Sequence, residues 1–224
     1  MTIHAPLFIV LLPVSAALLC MLFSRIQKNL GSWIVIASIV GAFLSAVTSL
    51  QQVIADGGKA LHYWMGNWQP PLGIEFVIDP ISGALAVLIT FIALLGSLYS
   101  LPFVKEEGWL HIGGYYTLYG LMTVGMCGMV ITGDVFNLYV FLEVMSLSGY
   151  GLIAIGGKKS MLAAFRYLLI GTIGASLYLL GVGYMYALTG TLNMADMAVR
   201  AAEFLNYPLF ALALACFVVG FGIK

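Results

Sequence analysis

The chain has 224 residues, of which 62% are hydrophobic and 8% charged, and its nine basic residues balance its nine acidic ones. Soluble domains carry about 25% charged residues, so this composition, with a mean hydropathy of +1.06, describes an integral membrane protein. A net charge of zero offers no basic patch, which excludes nucleic acid as a partner and leaves the lipid bilayer in that place.

Apolar runs of bilayer-crossing length fall at 7–23, 31–50, 81–101, 114–132, 135–155, 161–188 and from 208 onward. They predict an all-α polytopic fold with about seven transmembrane helices. The first run reads as a retained helix rather than a signal peptide. It lacks a basic start, carries Pro6 and Pro13, and is followed by Arg25 and Lys28 instead of a small-residue cleavage site. Cys20, Cys127 and Cys216 each stand alone in an apolar run, so they read as packing residues, and no iron–sulfur, zinc or disulfide framework is encoded.

The connection 51–79 is not a plain loop. It holds YWMGNW, then Pro70 and Pro71, then GIEFVID, in which Ile74, Phe76 and Ile78 alternate with Glu75, Val77 and Asp79. That alternation predicts a short extracytoplasmic strand or hairpin between spans two and three, with Trp64 and Trp68 at interface depth. Basic residues set the orientation. The connections after spans one, three and five hold Arg25, Lys28, Lys105, Lys158 and Lys159, against Lys59 and Arg200 on the other face. The positive-inside rule then puts the N-terminus outside the cytoplasm. Arg166, early in the sixth run, snorkels to the cytoplasmic side.

Asp134 opens the fifth span just after Gly133 and reads as its N-cap rather than as an ion ligand. Further along the run VFNLYVFLEVMSLSGYGLIAI lies one charge, Glu143. An acidic residue near the middle of a span costs roughly 2.5–3.5 kcal/mol on insertion scales, so it is kept where it faces protein, water or an ion path. Tyr139, Ser146 and Tyr150 share its helical face. This stripe supports either a proton relay or hydrogen bonds to neighbouring helices. A lysine is the natural partner for such a carboxylate, because an opposite charge nearby favours the ionised form. Lys224 is the basic residue of the last run, and reads either as that partner or as a snorkelling helix end.

Glycines crowd spans four to six, and Gly171 with Ala175 forms a small-xxx-small pair suited to close helix packing. Residues 193–206 predict an amphipathic surface helix before span seven. Met194, Met197, Ala198, Ala201 and Leu205 take one face, Asp196, Arg200 and Glu203 the other, and Asn193 the cap. His4, His62 and His111 lie in connections, so no haem site is built within the membrane, and no dinucleotide or P-loop motif appears. No catalytic residue, metal or cofactor is expected, nor any redox or hydrolytic site of the chain's own. Without repeats or linkers, residues 1–224 are expected to form a single membrane domain.

GDVFNLYVFLEVMSLSGYGLIAI (133–155), AAFRYLLIGTIGASLYLLGVGYMYALTGTLNMADM (163–197) and the terminal VVGFGIK resemble the antiporter-like, proton-pumping membrane subunits shared by respiratory complex I, membrane-bound hydrogenases and Mrp-type cation/proton antiporters. WQPPLGIEFVIDPISG (68–83) looks most like the D subunit of the Mrp antiporters. The resemblance implies that the family's buried glutamate falls on Glu143 and the lysine of its broken seventh helix on Lys224. The two would form an ion pair whose making and breaking accompanies proton movement. It also implies a multisubunit Na⁺/H⁺ antiporter or an NADH:quinone oxidoreductase-like complex in a prokaryotic plasma (inner) membrane, with other membrane subunits as partners and protons and Na⁺ as cargo. Family members have about fourteen helices with inverted repeats, so a chain ending at Lys224 is expected to be the N-terminal portion of such a subunit. It is also expected to be unstable without the remainder. The alternatives are a non-transporting structural subunit and a quinone-reactive oxidoreductase subunit.

Overall fold

The computed structural model describes residues 4–27, 29–71, 73–104 and 109–224. Six long helices dominate it: α1 (Ala5–Ile26), α2 (Leu30–Ala55), α3 (Pro80–Val104), α4 (Trp109–Ile131), α5 (Val135–Ala154) and α6 (Lys158–Thr189). All six contain an apolar stretch long enough to cross a membrane. A two-stranded antiparallel hairpin, β1 (Leu61–Trp64) and β2 (Glu75–Ile78), joins α2 to α3, and two shorter helices, α7 (Met194–Ala201) and α8 (Pro208–Ile223), follow α6.

The last expected span corresponds to the apolar helix α8. Helix α8 has 16 residues, about 24 Å at 1.5 Å per residue. Among the described residues, six helices are long and apolar enough to cross a membrane. Of the residues that set the expected orientation, Lys28 and Lys105 lie outside the described residues.

Helix α4 is the hub of the first half, packing on α1, α3 and α5; α5 then packs on α6, and α6 on α8. Polar ties reinforce these crossings where no water competes. The Tyr116 and Tyr119 hydroxyls donate to the Ser97 and Ala93 carbonyls of α3 (3.1 and 2.9 Å), and Thr117 Oγ1 donates to the Ala17 carbonyl of α1 (3.1 Å). Such ties average about 0.6 kcal/mol each in membranes. Large apolar side chains such as Leu18, Leu22, Ile81, Phe103 and Val218 point outward, as a lipid solvent permits and water does not. Helices α6 and α8 meet at glycines. A Cβ on Gly220 would lie 2.8 Å from the Tyr178 amide nitrogen and 2.9 Å from the Gly174 carbonyl oxygen, so only a bare backbone allows this approach.

In the hairpin, Leu61 pairs with Ile78 and Trp64 with Glu75. Phe76 and Ile78 are buried as alternation requires, but Glu75 is buried too, and Ile74 is 41% exposed. The pattern breaks because Glu75 is supplied with three donors: His62 Nδ1 (2.7 Å), Trp64 Nε1 (3.0 Å) and Asn193 Nδ2 (2.8 Å). A buried carboxylate so bonded loses little on leaving water.

Asn193 caps α7 as expected, its Oδ1 accepting from the Ala195 and Asp196 amides at 3.1 Å. Asp196 and Arg200 pair at 2.9 Å. The predicted apolar face holds at Met197 and Ala201, whereas Ala198 and Leu205 are exposed. The α-helix gives way to a 3₁₀ turn at Ala202–Phe204, which changes the angular step and moves Leu205 off the stripe.

Candidate functional site

Helix α5 starts at a satisfied cap. Asp134 Oδ1 accepts from the Asn137 amide (2.7 Å), and Thr132 Oγ1 accepts from Asn137 Nδ2 (3.1 Å). Burial pushes the Asp134 carboxyl up, with the amide hydrogen bonds at the helix start acting against it. The strand side holds this corner as well: the Gly133 amide donates to the Glu75 carbonyl (2.9 Å), the Val135 amide to the Leu192 carbonyl (2.9 Å) and the Met194 amide to the Gly133 carbonyl (2.8 Å). The first turn of α5 is thus fixed from both sides.

Glu143 lies nine residues beyond Asp134, about 13.5 Å along the axis. There Lys224 reaches across from the end of α8. Its Nζ donates to Glu143 Oε1 at 2.9 Å and to Ser146 Oγ at 2.7 Å. The Lys224 side chain is 10% exposed and that of Glu143 22%, so the ammonium is the more enclosed of the two. Bringing one partner of such a pair out of contact would strand the other, at about 3–5 kcal/mol in buried cases.

Tyr150 completes this group with its ring rather than its hydroxyl. Lys224 Nζ lies 5.9 Å from the ring centroid, within reach of a cation–π attraction. Among the described residues its buried hydroxyl has no hydrogen-bond partner. It points at Gly171 of α6, where an added methyl would collide with it, and Tyr167 packs edge-on against the ring at 4.7 Å.

Of the residues singled out from sequence, Glu143, Ser146, Tyr150 and Lys224 come together. Tyr139 and Asp134 do not join them. The Tyr139 ring stacks on Tyr178 (6.4 Å, 7° between planes), and the Tyr178 hydroxyl donates to the Val135 carbonyl at 3.0 Å. Asp134 serves the helix start. Sequence reasoning missed Gly171 and Tyr167 as the walls behind Tyr150. It also missed the Glu75–His62–Asn193 cluster, whose signal was a carboxylate set among the apolar residues of GIEFVID.

Residues 132–224 match the family model described as NADH:quinone oxidoreductase/Mrp antiporter, TM. The whole chain is 43% identical to the N subunit of the NADH-quinone oxidoreductase of Desulforudis audaxviator, over 44% of that protein. The D subunit of the Na(+)/H(+) antiporter of Bacillus subtilis is 32% identical over 96% of this chain and 43% of its own length. Among solved structures, a chain of the membrane-bound sulfane sulfur reductase, an archaeal respiratory membrane complex, superposes with a TM-score of 0.89 at 30% identity, covering 97% of this chain and 44% of that one. The chain therefore spans less than half the length of the relatives it matches.

Proposed function

Because this multi-pass membrane protein belongs to the NADH:quinone oxidoreductase/Mrp antiporter membrane-subunit family, we propose that it is a proton-translocating subunit, or part of one. It works with other membrane subunits, either exchanging Na⁺ for protons or serving a redox-driven complex. The observation that carries this reading is the 2.9 Å Glu143–Lys224 pair, made between α5 and α8 within apolar helices. The relatives' names support the antiport and oxidoreductase settings.

The geometry supports a switch. With Glu143 ionised, Lys224 is held by the carboxylate and by Ser146 Oγ. A proton arriving on Glu143 removes the opposite charge, and the ammonium, left with a neutral hydroxyl and an aromatic face, is driven to seek another partner. Its departure strands the carboxylate once the proton leaves, and drives its return. Ser146 and Tyr150 support the lysine in this cycle. Tyr139 and Asp134 keep α5 in place.

The chain takes its place in a prokaryotic plasma (inner) membrane with its N-terminus outside the cytoplasm, and forms one membrane domain of a longer subunit. The lysine provides the test. Lys224→Ala in the assembled complex is expected to reduce proton-coupled transport to background, and Lys224→Arg, which keeps the cation, to retain a measurable fraction. Full transport by an assembled Lys224→Ala complex would refute the reading.

A further inference from the structure

A second ionisable pair lies apart from Glu143 and Lys224, where the hairpin meets the starts of α5 and α7. Glu75 is buried, yet among its three side-chain donors only His62 can carry charge; the Trp64 indole and the Asn193 amide are neutral. His62 is half-exposed. It lines an open cleft of about 760 Å³ together with His4, Asp56, Tyr63, Trp64 and Asn67. A proton from solvent therefore reaches the imidazole directly, and the imidazole sits 2.7 Å from the carboxylate.

Glu75 is also a mechanical junction. Its Oε2 accepts from Asn193 Nδ2, and Asn193 caps α7. Its backbone carbonyl accepts from the Gly133 amide, one residue before the cap of α5. The adjoining residue, Phe76, is bridged to Thr132 and packs its ring 6.2 Å from Phe141, two residues before Glu143. Glu75 thus ties the hairpin, the α4–α5 corner and the α6–α7 connection to each other, the corner through its backbone and the α6–α7 connection through its carboxylate.

We propose that Glu75 and His62 form a proton-responsive positioning pair that holds the first turn of α5, and through it Glu143, in register with Lys224. With His62 protonated, the contact is an ion pair as well as a hydrogen bond, adding the attraction of opposite charges to the bond that the carboxylate already accepts. With His62 neutral, Nδ1–H still donates but the charge is gone, so the clamp slackens without breaking. Among the described residues, the other ionisable groups around the pair are His4, Asp56 and Tyr63 in the cleft, Asp134 at the α5 cap, and Asp196 on α7, which is already matched by Arg200. None of them donates to Glu75, so the response is assigned to His62.

The functional consequence rests on the role given above to Glu143 and Lys224, but the clamp is tested without it. Hydrogen exchange of the Gly133, Val135 and Met194 amides is followed on the full protein in lipid nanodiscs from about pH 5 to 8, the range in which imidazoles change charge, after correction for intrinsic exchange rates. In the wild type, protection of these amides is expected to fall several-fold as pH rises. In His62→Gln it should sit at the weaker level throughout, and in His62→Arg at the stronger level throughout. Because His62 is half-exposed, both variants are expected to fold; Glu75→Gln should match His62→Gln. A wild-type protection that does not change with pH, or a His62→Gln protein that keeps the wild-type pH response, would overturn the clamp. Pairing this with proton-coupled transport separates the two claims. An exchange response that survives in Glu143→Gln while transport is lost supports both, and a normal exchange response with transport undisturbed in Glu143→Gln leaves the clamp standing and removes the switch.

Discussion

Lys224 Nζ bridges two residues of a helix to which it does not belong, donating to Glu143 Oε1 at 2.9 Å and to Ser146 Oγ at 2.7 Å, one turn further on. A hydrogen bond to a charged group contributes about 1.5–3 kcal/mol, so the serine is a substantial second anchor. Ser146→Ala is expected to leave the protein assembled but to slow proton-coupled transport several-fold, whereas Ser146→Thr, which keeps the hydroxyl, should recover most of it. Equal rates for all three would show that the serine contact has no part in the cycle.

Tyr150 offers its ring face to Lys224 and its hydroxyl to Gly171. Tyr150→Phe removes a buried hydroxyl that bonds nothing among the described residues, so near-neutral stability and near-normal transport are expected. Tyr150→Leu should impair transport by removing the aromatic face. Gly171→Ala should destabilise by about 1–3 kcal/mol through overpacking, and Tyr150→Phe should relieve part of that cost. A double-mutant cycle in thermal unfolding reads the coupling; strictly additive effects would contradict the contact.

Asp134 caps α5 from a buried position, and burial pushes its carboxyl up. Folded protein then holds this proton more tightly than unfolded protein, so the group's contribution to stability falls as pH rises from the usual carboxylate range through its raised value. Asp134→Asn keeps an N-cap acceptor and is expected to preserve transport while flattening that pH dependence; Asp134→Ala should cost about 1 kcal/mol. Loss of transport in an assembled Asp134→Asn protein would assign Asp134 an ionic role beyond capping.

Orientation is read from lysine and arginine placement. Lys59→Cys, beside the hairpin, is expected to react with a membrane-impermeant thiol reagent in intact cells, and Lys158→Cys, at the start of α6, only after lysis. The reverse pattern would invert the topology.

Much of this architecture was legible as hydropathy, since runs of Leu, Ile, Val and Phe in lipid leave a helix as the solution that satisfies its own backbone. The α5 spacing correctly put Ser146 and Tyr150 beside Glu143, because i,i+3 and i,i+7 neighbours follow from helix geometry alone. Tyr139 obeyed the same spacing and yet packs on Tyr178, because an aromatic ring one turn away is steered by the neighbouring helix, which spacing does not describe. Glu75 was hidden for a related reason: its donors come from 11 and 13 residues upstream and, in Asn193, from 118 residues downstream.

The most direct test is proton flux through Glu143→Gln, measured as pH-gradient-coupled transport in sealed vesicles bearing the assembled complex, after confirming that expression and assembly match the wild type. The substitution keeps the size and hydrogen-bonding capacity of the side chain and removes the titratable proton, so a packing role would survive it and a switching role would not. Flux at background is the result this account predicts. Assembled Glu143→Gln complexes that move protons at the wild-type rate would contradict it.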